Sequence, residues 1–312
     1  MKMNSLDEIC CKNVELESLR DLLLALSDTQ FSMPHGSVGE YGTYFISGEA
    51  IFACGNTIKT IDYCCTQGFF GDAFTLARKY RDDLMQYLFV SYIISNIKGQ
   101  TEEEIQKTYG AEWTEESLIE AIAKEIHILQ SGNRKSDMEL AVESWIYGKL
   151  ENENHREERR KYFDTSKYKK HLESQPCVEI LMTKYLKNIW RETDRTLNNY
   201  VHANGLKYIT SNYAVGKEYE AQTDALIKTM RNITSIFLSI LIIIDGRNVQ
   251  SSDYLDALDF GCTPEEDCQY WVMPGVVEYM ATYFPEIHLG LIDFLSENNP
   301  YGMKLKQSDY FE

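Results

Sequence analysis

Apolar residues recur every three or four positions through most of the chain, the signature of helices that turn one face inward. Between Val14 and Ser27, leucines stand at 16, 19, 22, 23 and 26. Ser47 can cap a helix carrying Ile51, Cys54, Ile58, Ile61 and Cys65, and Gly68 can end it. A long helix is predicted over 71–97. Its buried stripe runs Ala73, Leu76, Ala77, Tyr80, Leu84, Tyr87, Leu88, Ser91, Ile94, with Arg78, Arg81 and Asp82 beside it. Thr101–Glu104 forms a capping box, Thr114 opens a helix through Leu129, and another is predicted over 137–150. Beyond Pro176 the helical pattern resumes over 178–190 and runs on to His202, where Asn204-Gly205 is a stop. Residues 213–245 read as one long helix or two. Thr263-Pro-Glu-Glu266 is a helix start, and short helices are expected over 276–284 and 288–295. Strand-like alternation is almost absent, with Tyr44–Ile46 a short candidate for extended chain. The predicted fold is all-α, with an N-terminal helix and loop (1–44), a helical core (45–250) and a C-terminal helical appendage (251–312).

One run needs a decision. Ile233–Ile244 is twelve residues of nearly unbroken apolar character, whereas a membrane span needs roughly 20. It is read as the buried end of a long helix, and no membrane association is expected.

Composition narrows the function. With 48 acidic against 31 basic residues the net charge is −17. Such a surface repels phosphate backbones, so any nucleic-acid role must rest on a local basic patch. The eight cysteines include two adjacent pairs and no CxxC, which argues against a zinc ribbon or redox motif. The start, Met1 to Glu8, lacks an apolar signal run. A reduced, cytoplasmic protein is expected, with no metal or cofactor. No phosphate-binding GxxxxGK[ST] loop, GxSxG or HExxH motif occurs. His127, on an apolar helix, is read as a core histidine, and His35 and His288 lie in loop contexts.

Two stretches carry candidate chemistry. The first is the most basic part of the acidic chain: Arg156, Arg159, Arg160 and Lys161, then Lys167, Lys169 and Lys170, bracketing Tyr162 and Phe163. It reads either as a solvated helix face with Glu–Arg pairs or as a cationic, aromatic strip for single-stranded RNA. The second is Arg195-Thr-Leu-Asn-Asn-Tyr-Val-His202. On a helix, Arg195, Asn198, Asn199 and His202 share one face, while Leu197, Tyr200 and Val201 fall elsewhere and anchor it. A guanidinium, two amides and an imidazole on one stripe make an anion site with a proton-transferring group attached. The plain alternative is structural: Arg195 pairs with Asp194, Glu192 or Asp82, and His202 bonds a backbone carbonyl. Arg78 and Asp82 are either an i,i+4 pair or a brace for Arg195 or His202.

Several of these segments together carry a resemblance: GFFGDAFTLAR (68–78), YVHANG (200–205), the hydrophobic helix that follows, YFPEIH (283–288) and ENNPYGM (297–303). The chain resembles the HEPN superfamily, and more closely a bacterial branch with a long Arg-bearing helix and a "YVH" helix. The likeness runs in outline over residues 45–303. It implies a HEPN-like helical bundle that forms a homodimer and cleaves RNA without a metal, as a toxin or phage-defence effector. In that role His202 would move the proton of a ribose 2′-hydroxyl or of the leaving 5′-oxygen. Arg195 would hold the scissile phosphate, and Asn198 or Asn199 would orient the phosphate or the imidazole. Active members usually carry Asn, Asp or His directly after the Arg; here the residue is Thr196. The resemblance therefore also admits a non-catalytic domain that binds a nucleotide, RNA or a partner protein, and the net charge of −17 independently suggests an acidic helical adaptor that meets a basic protein partner.

Overall fold

A computed structural model describes residues 13–31, 47–96, 136–146, 148–151, 153, 156–251, 254, 272–300, 302, 303 and 305. These residues fold as an all-α bundle. No strand occurs among them, only an isolated bridge between Gln250 and Val272. The predicted elements at 44–46, 101–104, 114–129 and 263–266 lie outside the described residues, as do His35, His127, Cys10, Cys11, Cys262 and Cys268.

Helix α1 (Val14–Phe31) is capped by Asn13, whose Oδ1 accepts the N–H groups of Glu15 and Leu16 at 3.0 and 3.3 Å. It packs along α2 (Ser47–Thr66). Gly68, at φ +76°, ends α2 in a left-handed turn closed by the Gly68 N–H on Cys65 O and the Phe69 N–H on Cys64 O. The chain then reverses into α3 (Phe70–Asn96). The predicted stripe of α3 is buried except for half-buried Leu76. Phe70, Phe74, Met85, Phe89 and Val90 are buried as well, because helices cover α3 on several sides.

Shorter elements follow: α4 (Asp137–Ile146), α5 (Arg156–Tyr162), α6 (Thr165–Leu172) and α7 (Pro176–Ile180). Pro176 sits at the first position of α7, where its missing N–H costs nothing. Helix α7 continues into a π turn, Leu181–Tyr185, with the Leu186 N–H bonded to Leu181 O. This wider turn re-phases the backbone before α8 (Lys187–Val201), so that Thr193, Leu197 and Tyr200 face inward. Helix α9 (Leu206–Ile209) and a 3₁₀ turn, Ser211–Tyr213, lead to α10 (Lys217–Asp245).

Helix α10 is the second central element. It packs against α3, α8 and α1, and against α11 (Pro274–Ile287) and α12 (Leu291–Asn298). Its most apolar window is 78% buried inside the protein. The Ile233–Ile244 run is thus core, which agrees with its length. Two pairs of polar groups within the core meet each other: Tyr80 Oη lies 2.9 Å from Thr234 Oγ1, and Ser235 Oγ 3.0 Å from Tyr279 Oη. Leucines of α1, the stripes of α3 and α10, and Val276, Phe284 and Leu295 of the last two helices join in one hydrophobic core.

Candidate functional site

Helix α8 is sharply two-sided. Leu197 is fully buried, and Tyr200 stacks on Phe74 with ring centroids 3.8 Å apart. Tyr200 also donates its hydroxyl to Gln222 Oε1 at 3.3 Å. Burial and the nearby Tyr208 and Glu218 push the Tyr200 pKa up to about 12, so it stays a neutral anchor. The opposite face carries Arg195 and His202, both exposed, with half-buried Asn198 and Asn199 between them.

The two asparagines point to different neighbours. Asn198 Nδ2 donates to Asp194 Oδ2 at 3.2 Å. Asn199 Nδ2 donates to the Tyr208 hydroxyl at 3.2 Å, which ties the stripe to α9. His202 is the C-cap: its backbone N–H bonds Asn198 O, and the residue is exposed. Ala203 at φ +48° and Gly205 at φ +124° then turn the chain away. His202 follows Arg195 by seven positions, which on an α-helix is about 10 Å along one face.

Arg195 forms no ion pair among the described residues. The acids expected to neutralise it are engaged elsewhere. Asp194 Oδ1 lies 3.0 Å from Arg81 Nη1, and Glu192 Oε1 lies 2.7 Å from Lys228 Nζ. Asp82 also serves Arg81, accepting from its Nε at 2.9 Å and Nη2 at 2.8 Å.

Arg81 is thus the arginine that ties α3 to α8. It is only 5% exposed and lies over the Trp190 ring, 5.8 Å from its centroid. Arg78 makes a looser i,i+4 contact with Asp82, 3.8 Å from Nε to Oδ2, and forms no ion pair with α8 among the described residues. Any brace on the stripe therefore runs through Arg81 and Asp194, with Asp82 behind them. The sequence pattern places Arg81 beside the α3 stripe but holds no sign of its partner, since Asp194 lies on another helix.

Beside this cluster lies a cleft of about 600 Å³, lined in part by Arg78, Arg81, Asp82, Lys169, Trp190 and Asn198. Arg195 and His202 do not line it. Three cations, Arg78, Arg81 and Lys169, face four carboxylates, Asp82, Asp83, Asp164 and Asp194. This balance does not favour a phosphate chain in the cleft.

The basic segment divides between two helices. Arg156, Arg159, Arg160 and Lys170 are exposed. Lys161 pairs with Asp137 at 3.3 Å and lies over the Tyr162 ring. Lys167 donates to the Lys161 carbonyl at 3.1 Å, closing the end of α5. Lys169 pairs with Glu173 and sits 5.4 Å from the Trp190 ring centroid. Phe163 packs edge-on to Phe89 and stacks near Trp145. Its ring is a core contact here, not a free face for a base.

Among the described residues no group of three or more His, Cys, Asp or Glu side chains is placed to hold a metal. Comparison with protein-family models, with curated proteins and with solved structures gave no match.

Proposed function

We propose that this protein binds and cleaves RNA through Arg195 and His202, by a metal-independent transesterification in which two copies of the chain cooperate. The observation that carries the proposal is that Arg195, exposed on the His202 face of α8, forms no ion pair among the described residues while Asp194 and Glu192 are taken by Arg81 and Lys228. An exposed guanidinium is what a scissile phosphate needs.

The chemistry follows from the groups. An imidazole removes the ribose 2′-hydroxyl proton, the 2′-oxygen attacks phosphorus, and the P–O5′ bond breaks as the 5′-oxygen takes a proton. The products are a 2′,3′-cyclic phosphate and a 5′-hydroxyl. Arg195 holds the phosphate oxygens as charge builds on them. One stripe offers one imidazole for two proton transfers, and a second copy of α8 would supply the other. Asn198 and Asn199 set the stripe's edges, and Arg81 fixes the helix through Asp194. The exposed cations of α5 add a second contact to the RNA backbone. The reading fits a cytoplasmic toxin or phage-defence effector of HEPN type.

The test is incubation of single-stranded RNA with the protein in EDTA, comparing wild type with His202→Ala. Cleavage by wild type and none by the variant is expected. Equal cleavage by both, or none by either, removes the nuclease reading. RNA binding without cleavage by either would leave the non-catalytic reading that Thr196 admits.

A further inference from the structure

From Arg195 to Lys217 the chain holds no Asp or Glu over 23 residues, in a protein with 48 acids. The stretch carries Arg195, Lys207 and Lys217, four asparagines and three tyrosines. In the structure it forms the end of α8, then α9, then the 3₁₀ turn. Large apolar side chains stand in solvent there: Leu206 is 76% exposed, Ile209 63%, Tyr213 82% and Val215 78%. Such a patch on a monomer marks a place where something docks.

The patch is held firmly. Ser211 is buried and donates to Tyr208 O at 2.7 Å. Asn212 Oδ1 accepts the Gly71 N–H at 2.7 Å, so the turn serves as the cap of α3. Tyr213 follows directly, its ring presented on a fixed backbone. The Asn199–Tyr208 hydrogen bond joins this tip to the Arg195–His202 stripe.

We propose that the tip from Leu206 to Lys217 binds unpaired RNA bases next to the scissile phosphate, with Tyr213 as a stacking platform and Lys207 and Lys217 on flanking phosphates. This rests on the RNA reading above and names its substrate as single-stranded. Charge selects the occupant: the tip's own sequence carries lysines and no acid on a molecule of net charge −17, with Asp72 of α3 the carboxylate that Asn212 holds at its base, and the lysines complement a polyanion. Exposed tyrosine on a rigid support suits a base, since every base has a face to stack. Helical duplex RNA hides those faces and is excluded.

The experiment measures binding without cleavage. A fluorescent 2′-O-methyl oligoribonucleotide cannot undergo transesterification, so its affinity is independent of His202 chemistry. Tyr213→Ala is expected to weaken its binding about tenfold, with Tyr213→Phe close to wild type and circular dichroism melting unchanged. Lys207→Ala and Lys217→Ala should each flatten the salt dependence of binding. Unchanged affinity in Tyr213→Ala, or no binding by wild type, overturns the proposal. So does a change in sedimentation with RNA affinity intact, which would assign the tip to a second copy of the chain. Tyr213-dependent binding without cleavage of natural RNA would keep the docking surface and reject the nuclease reading.

Discussion

Arg78 and Arg81 lie three residues apart on α3 and look alike on paper, yet they face different surroundings. Arg81 sits among buried neighbours and gives hydrogen bonds to two carboxylates from separate helices. Arg78 touches one half-exposed acid at 3.8 Å. Replacing Arg81 by Met keeps much of its volume but leaves Asp82 and Asp194 short of donors. A loss of about 2 kcal/mol is expected in urea unfolding, reduced from a fully buried case because both acids reach solvent. Arg78→Ala should cost less than about 1 kcal/mol. Equal costs would refute the assignment of Arg81 as the tie between α3 and α8. Cys54 makes a second residue-scale point. Burial and nearby Asp83 push its thiol up to about 12, so it should resist alkylation near pH 8 in the native protein and react on unfolding. Peptide mapping of the labelled chain checks this; native labelling of Cys54 would contradict its burial.

At the scale of elements, the long helices were legible because one period fits them end to end. The stripes of α1, α2 and α3 read directly from spacing, and so did the two-sided α8. What escaped the sequence depends on partners far along the chain. The long helix was expected to begin at Tyr213, but Asn212 is spent on capping α3, and Gly216 at φ +59° delays α10 to Lys217. Arg81 could not be paired from sequence, since Asp194 is 113 residues away. The π turn leaves no mark in the pattern, because Leu181, Met182 and Leu186 are apolar under either winding. Gly71 probes the same junction. A Cβ there would lie 2.9 Å from both Asn212 Oδ1 and Ser211 Oγ, so Gly71→Ala should cost about 1–3 kcal/mol. A thermal midpoint equal to wild type would show that the turn is not clamped to α3.

Helix α6 carries a pH-dependent element. His171 lies edge-on to Phe89, and burial lowers its pKa below the usual imidazole value. The unfolded chain then holds the proton more tightly than the folded one, so stability rises with pH through this range. Going down, the loss begins near pH 6.5, the ordinary value, and is complete below the depressed folded value. His171→Phe should show a smaller drop in urea midpoint between neutral and mildly acidic buffer than wild type. An identical drop would mean that His171 does not titrate against the fold.

Over the whole molecule, the bundle separates two polar regions. On one side of α8 a cleft lined by both signs of charge lies among α3, α6 and α8, with Arg81 tying α3 to α8 through Asp194. On the other, the end of α8 and the chain beyond it form an open tip whose own sequence, from Arg195 to Lys217, holds no acid. The fold follows from helical periodicity and the buried run of α10; the function proposed for it rests on Arg195 and His202 standing open on one face. The most direct measurement is the end chemistry of RNA treated with the protein in EDTA, for wild type, His202→Ala and Arg195→Ala. The account predicts 2′,3′-cyclic phosphate and 5′-hydroxyl ends from wild type and intact RNA with either variant. Ends of another kind, or cleavage that survives loss of His202, would contradict it.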